Sequence, residues 1–454
     1  MPALNFVTQS SRSADDIGYS PERLVNVYPE AGPQNAKGPV VLRSVLGRAT
    51  FATTSKPIVR AMEFFNNRIY LVSGGRLFSM QENATVTNHA AITDDVISTI
   101  SSSGDLITIA AGGTYYVWNL DTSTLSTPGS GKITNVGTVG LMDHYTLLTE
   151  QGGDFIEWTT QADPETRNAL FFARNESQND DTLRVMTDRL YPWFFGQTST
   201  EVFYNTGLSG ADAFLRVTGG ALETGILAAN LATKTEEGLF FIGDDKVAYL
   251  TIDAQLRAVS TPAVNEAIDG ETPSHCFYYE DRGHRFCVVR FANRPAWIYD
   301  MATGLWHERS SGTNLAAWDV IDAVKAWSSV WYCVTTDGTV YSMTRANTDV
   351  TDPLKRWMTS SSLYLEGNQF SISELELLGE FGESASEATI MFELSRDGGR
   401  TFGNVMTRSA GTLGDRELRV VLRALGRQRN FVVRVTVTDA TDLNIYSQMN
   451  VRVS

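Results

Sequence analysis

Apolar residues along this chain come in short alternating runs, and the runs are paired. Seven segments share one design: a β-rich run, a tight turn of Gly, Asn or Asp, then a second β-rich run. They are 68–80 with Gly74-Gly75, 106–120 with Gly112-Gly113, 145–160 with Gly152-Gly153, 190–204, 238–252 with Gly243-Asp244-Asp245, 285–308, and 330–343 with Asp337-Gly338. Successive turns recur roughly every 40 to 48 residues, the spacing expected of propeller blades. After Arg345 the rhythm changes, and alternating strands at 373–378, 389–394, 418–422 and 431–437 suggest an independent β-sandwich. Before the repeats, the first 55 residues are rich in Pro, Gly and Asn and read as an extended arm. Helical periodicity is scarce: 221–234 reads as a short helix and 315–327 as another helical turn. The expected fold is all-β: an arm at 1–55, a β-propeller of six or seven blades at 56–345, and a C-terminal β-sandwich (platform) domain at 346–454.

Composition fits that picture. At 454 residues the chain has room for one large repeat architecture and a smaller domain, and 42% hydrophobic residues suit a packed core. No apolar run approaches the ~18 residues of a membrane span, so no insertion into a membrane is expected. The first sixteen residues lack a basic patch followed by an apolar stretch, so a secretory signal is not expected and the chain reads as folding in the cytoplasm. Three cysteines, Cys276, Cys287 and Cys333, are too few for a disulfide framework. A net charge of −15 opposes tight binding to phosphate backbones, although an acidic protein can surround DNA without gripping it. The charge is uneven: from Arg396 onward there are ten arginines, no lysine and five acids. That end is either a solvated basic face or an interface whose guanidinium forks meet carboxylates on a partner.

Trp297-Ile298-Tyr299-Asp300, followed by Thr303 and Trp306, reads as strand, Asp-capped turn and aromatic return strand, and Trp118-Asn119-Leu120-Asp121 with Thr124 repeats part of it. The pattern resembles kelch-type blades, where it is scaffolding. Ser395, Asp397, Gly399 and Thr401 match the Asp-box turn of sialidases and other propellers, a hairpin remote from any catalytic pocket. Gly129-Ser130-Gly131-Lys132 fails as a phosphate loop, because Ser126 and Ile133 stand where glycine and Ser or Thr are needed. His275-Cys276 and His284-x-x-Cys287 have zinc-like content, yet they read as a hairpin turning through Asp281-Arg282-Gly283 with both cysteines packed. No Gly-x-Ser-x-Gly elbow or His-Glu-x-x-His helix is present. Carboxylates abound, but spacing selects no pair for glycoside hydrolysis. Trp118, Trp158, Trp297 and Trp331 fall on strands, as core residues or as an aromatic sugar-binding surface.

One resemblance joins these pieces. Arg23-Leu24-Val25-Asn26-Val27-Tyr28-Pro29-Glu30, then Gly38-Pro39-Val40-Val41-Leu42-Arg43-Ser44 and Gly47, resembles the opening of the packaged-DNA stabilisation, or tail-hub (nozzle), proteins of short-tailed bacteriophages. Gln197-Thr198-Ser199-Thr200-Glu201-Val202-Phe203-Tyr204, the Asp-box stretch, and the run from Val420 through Gly426-Arg427-Gln428-Arg429-Asn430-Phe431 resemble later segments, in order. Leu46 departs from the pattern, standing where such proteins usually have Pro. The resemblance implies a virion protein of the short tail, made in the host bacterial cytoplasm. It would be a homohexameric ring beneath portal and adaptor, retaining packaged double-stranded DNA and conducting it during ejection without tight binding. The adaptor is the expected partner, with tail fibre, tailspike and tail needle as further candidates. No catalysis, cofactor or metal is implied. Acids facing the lumen would keep the duplex off the wall. Arg416, Arg419, Arg423, Arg427 and Arg429 are candidates for an adaptor or subunit interface. Two alternatives remain: a carbohydrate-binding propeller and a glycoside hydrolase of the tail.

Overall fold

A computed structural model describes residues 3–7, 20–32, 38–176, 178, 180–381, 388–411 and 417–453. Six four-stranded antiparallel meanders follow one another: blade 1 (59–91), blade 2 (98–126), blade 3 (136–174), blade 4 (182–222), blade 5 (232–258) and blade 6 (275–311). A seventh sheet, blade 7, takes three strands from 320–344 and its fourth, Gly47–Thr53, from near the N-terminus. The first strand of blade 7 lies beside the first strand of blade 1, so the ring is closed by a strand borrowed from the other end of the chain.

The burial pattern explains why the middle strands read as unbroken apolar runs. Pro192–Gly196 and Leu239–Ile242 are buried at every position, because a blade is covered on both faces by its neighbours. Outer strands such as Val86–Ala91 and Gln255–Ala258 are half-buried or exposed. The hairpins turn through pairs in the left-handed region, among them Asn66-Asn67, Gly74-Gly75, Gly112-Gly113 and Asp143-His144, as two-residue I′ loops require. Blades are also laced side to side. The Val139 amide donates to Thr99 Oγ1 at 2.7 Å and the Val185 amide to Thr138 Oγ1 at 3.0 Å. At the closing seam Trp327 Nε1 donates to the Asn67 carbonyl at 3.1 Å while its ring packs on Phe51, Phe64 and Tyr332.

Both helices expected from sequence are corrected. Residues 221–234 end one strand, turn at Ala229-Asn230, and start the strand Ala232–Lys234; their apolar residues Ile226, Leu231 and Ala232 fill the core between blades. Residues 315–327 hold the strands Ala316–Ala317 and Val320–Ala326. Among the described residues the one α-helix is Pro262–Gly270, with Pro at its first turn and Val264, Ala267 and Ile268 buried. At nine residues it is too short for its periodicity to stand out.

The C-terminal part is two packed sheets around Leu375, Leu377, Leu422, Ile390, Phe392, Val433 and Val435. The segment read as an extended arm is shared among all parts of the fold. Ala3–Asn5 pairs with Gln448–Val453, and Val27–Ala31 with Val40–Ser44 extends the first sheet through Leu443–Tyr446. Arg23–Val25 lies between Leu305–Ser311 of blade 6 and Arg356–Thr359 of the second sheet, so one continuous sheet runs from propeller to sandwich.

Side chains fix that junction. Arg23 makes two parallel bonds to Glu308, Nε to Oε1 at 2.7 Å and Nη2 to Oε2 at 2.6 Å, and stacks on Trp357. Asn26 is wholly buried with φ +59°. Its Nδ2 donates to Ser310 Oγ and to the Lys355 carbonyl, its Oδ1 accepts from the Ser310 amide, and its own amide donates to the Glu308 carbonyl. Asn tolerates the left-handed region and offers a donor and an acceptor together. Asn26→Ala is therefore expected to lower stability by about 2–4 kcal/mol, combining lost bonds, an unpaired Ser310 amide and backbone strain. Asn26→Gly, which removes the strain but not the lost bonds, falls between that variant and the parent. Urea denaturation measures the ranking, and equal midpoints for all three would contradict it.

Candidate functional site

The arginine-rich segment is an outer strand, and its position decides what it can do. Glu417–Gln428 pairs along its length with Phe370–Phe381 and, among the described residues, has no strand on its other side. Arg419, Arg423, Arg427 and Arg429 are exposed; Arg416 lies outside the described residues. Two of them are already engaged: Arg419 Nε donates to Glu376 Oε1 at 2.7 Å, and Arg423 Nε to Glu374 Oε2 at 3.2 Å. Arg452 and Asn450 reach the same two carboxylates from the neighbouring strand. Arg427 and Arg429 make no ion pair among the described residues. Charge along an open strand also guards it against unwanted pairing with other chains. Sequence reading missed Glu374 and Glu376, although two glutamates at an i, i+2 spacing on a strand place both on one face.

The Asp-box residues form the turn that joins Ala388–Ser395 to the next strand of the second sheet. Asp397 Oδ1 accepts from Ser395 Oγ at 2.6 Å and from the Arg400 and Thr401 amides at 3.1 and 3.0 Å, while Oδ2 accepts from Thr401 Oγ1 at 2.5 Å. Ser395 Oγ accepts from the Gly399 amide at 2.8 Å. Hydrogen bonds from Ser395 and Thr401 hold the Asp397 carboxyl well below its usual range.

The blade-6 hairpin follows the Asp-capped reading. Asp300 Oδ1 accepts from the Ala302 amide and Oδ2 from Thr303 Oγ1, with His284 Nδ1 at 2.7 Å from Oδ2. In blade 2 the capping residue is Asn119 rather than Asp121: its Oδ1 accepts from the Asp121 and Thr122 amides, both at 3.0 Å. Asn119 occupies the last position of its strand, as Asp300 does.

Cys276 and Cys287 lie on one face of the hairpin His275–Asp281/His284–Arg290, buried in the core, and burial pushes both thiols up. His284 is turned to Asp300, away from them in the hydrogen-bond pattern. Among the described residues no group of three or more His, Cys, Asp or Glu is placed to hold a metal ion. Trp118, Trp158 and Trp297 are buried and Trp331 half-buried between Tyr278 and Lys325, which places them in blade packing rather than on a sugar-binding surface. Glu201 and Glu157 are buried but paired, with Arg216 and Arg167.

The motifs behind the family resemblance turn out to be joints. Arg23 and Asn26 clamp blade 6 to the sandwich. Ser44 accepts from the fully buried Arg356, whose guanidinium also donates to the Thr441 and Asp439 carbonyls. Gly47 is held to glycine because a Cβ there would lie 2.2 Å from the Thr348 carbonyl oxygen. Leu46, at the position that departs from the pattern, is buried with Val45 and Tyr28. Asp180 caps the Thr198 and Ser199 amides at the head of the mid-chain motif.

Residues 6–348 match the family model described as Bacteriophage P22 Gp10, beta-propeller, and residues 355–454 match Bacteriophage P22 Gp10, beta-sandwich. No curated protein matches. Solved structures that align include the N-terminal domain of Nup159, at 12% identity and TM-score 0.45 over 70% of this chain and 98% of that one. The Neurospora crassa Pan2 WD40 domain aligns at 7% identity and TM-score 0.45 over 66% and 95%, and the computationally designed Ika8 protein at 10% and 0.42 over 65% and 99%. Likeness at this level carries no argument about function.

The Asp397 turn has a signed pH dependence. A carboxyl held below its unfolded value adds stability that is complete above about pH 4 and is lost as pH falls toward its folded value. Asp397→Ala should therefore lose less stability than the parent between pH 5 and pH 2, read as urea midpoints. Parallel acid limbs would show that the turn does not hold its carboxylate this way in solution.

Proposed function

The chain belongs to the bacteriophage P22 Gp10 family through both its propeller and its sandwich, and from that premise we propose that it is the tail-hub, or nozzle, subunit of a short-tailed phage. A virion structural component is what the family assigns. The finer reading is a homohexameric ring below portal and adaptor that retains packaged DNA and conducts it during ejection. The observation that carries it is the pair of family matches, which run in order from residue 6 to residue 454. Two features support it. A propeller joined to a sandwich through one continuous sheet is a stiff wedge, and stiff wedges suit closed rotational symmetry. A net charge of −15 suits a conduit that repels phosphates, so that the duplex slides rather than sticks.

In this reading the open strand Glu417–Gln428 faces a neighbouring subunit or the adaptor. Arg427 and, in the bend just after the strand, Arg429 are the contact residues, since Arg419 and Arg423 are taken up by Glu374 and Glu376. The adaptor is the first partner. Fibres, a tailspike or a needle would attach further from the portal.

Mass measurement of the purified protein, alone and mixed with its adaptor–portal complex, tests the ring. Six copies on the adaptor are expected, and a chain that stays monomeric and ignores the adaptor would sink the reading. Reversing both Arg427 and Arg429 to Glu is expected to abolish that assembly while leaving the melting temperature of the free chain nearly unchanged, since both side chains are exposed. Normal assembly by the double variant would remove this strand from the interface.

A further inference from the structure

Around the propeller axis the first strands of six blades enclose a cavity of about 140 Å³, room for several waters. Its charged lining is unbalanced. Arg60 comes from blade 1, Arg184 from blade 4, Lys234 from blade 5, and a single carboxylate, Asp322, from blade 7; His275 of blade 6 completes the ring. Three cations against one acid is the reverse of the chain as a whole, which is strongly acidic.

Two of these cations and the neighbouring imidazole are poorly satisfied by the protein itself, while Lys234 is more exposed. Arg184 Nε, Arg60 Nε and His275 Nδ1 are buried atoms with no hydrogen-bond partner among the described residues. Arg60 has one carboxylate nearby, Asp94, at 3.5 Å, and that residue is itself partly exposed. Asp322 Oδ1 accepts from the Ala323 amide at 2.8 Å. The surrounding charges do not rebalance the cavity: Asp188 and Arg189 both act on Lys234, and Arg290 adds a further positive field at His275. Buried donors left unpaired cost free energy, and clustered cations repel one another, so the arrangement asks for an acceptor with negative charge.

We propose that the axial cavity is a binding site for one small inorganic oxyanion of the sulfate or phosphate class, held by Arg184, Arg60 and Lys234. Guanidinium forks match the geometry of tetrahedral oxyanions, and an ammonium adds a point charge from a third direction. A bound ion would tie blades 1, 4 and 5 together across the axis, where no main-chain pairing links them. It would act as a central pin for the ring of blades.

Two charge states set the pH response. Burial pushes the Asp322 carboxyl up to about 7 and holds His275 down at about 4, so the imidazole is neutral at neutral pH. Protonating Asp322 removes the negative charge that lines the cavity itself, so affinity rises as pH falls from 8 to 6.

Isothermal titration calorimetry of the full chain with sodium sulfate, against sodium chloride at matched ionic strength, tests the site. Sulfate keeps its charge across this pH range. One saturable site per chain is expected, weakened at least tenfold by Arg184→Met and tightened severalfold at pH 8 by Asp322→Asn. Should Arg184→Met fail to fold, the Asp322→Asn result decides alone, since that change preserves size and removes only the opposing charge. Absence of saturable sulfate binding by the parent, or equal or weaker binding by Asp322→Asn, would overturn the proposal.

Discussion

Arg23 and Asn26 sit where three parts of the molecule meet, and the whole architecture depends on that joint. A three-residue strand has too few hydrogen bonds to hold itself in place. Arg23–Val25 persists because it is paired on both sides, by Leu305–Ser311 of blade 6 and by Arg356–Thr359 of the sandwich. Arg23 adds two charge-assisted bonds to a Glu308 that is nearly wholly buried, and the guanidinium is covered by Trp357, which also packs against Arg434. Breaking such a partly buried pair leaves a carboxylate without its counter-charge, which is far costlier than losing a surface ion pair. Asn26 then turns the chain out of the strand while satisfying backbone groups of blade 6 and the linker at once.

From that joint the same stretch of chain goes on to build two further elements. Val27–Ala31 and Val40–Ser44 extend the sandwich, and Gly47–Thr53 completes blade 7. Arg48, in the last of these, is buried against Asp349 and Asp319 and lies over Tyr341. Ring closure, the join between domains and one sheet of the sandwich are therefore made by one segment of about fifty residues. The consequence is mechanical: load on either domain passes through a continuous sheet rather than through a flexible linker.

Legibility in the sequence followed how local each signal was. Blades were readable because each hairpin carries its own turn residues and two strands, and because strands buried on both faces read as solid apolar runs. Pro192–Gly196 and Leu239–Ile242 are the plainest cases. The segments at 221–234 and 315–327 misled because their Ala- and Leu-rich stretches, which run into the first strands of blades 5 and 7, are apolar without period, and tertiary packing rather than propensity decides their form. The shared role of residues 3–53 was invisible, since strand partners hundreds of residues away leave no local mark. In the sequence Asn26 is only one residue of the Arg23–Glu30 motif; its neighbours Ser310 and Lys355 reveal its work. The arginines from Arg396 onward stand out in the sequence as a group. Which of them are neutralised could be known only from the register that sets Glu374 opposite Arg423.

Two domains joined by a linker commonly unfold in separate steps, whereas domains that share a sheet and a buried ion pair should unfold together. Differential scanning calorimetry of the full chain tests this most directly. One transition is predicted, with calorimetric and van't Hoff enthalpies equal, and it should divide in two when Arg23 and Asn26 are both replaced by alanine. Two resolved transitions in the unaltered chain would contradict the account, because propeller and sandwich would then be independent bodies and the N-terminal segment only a tether.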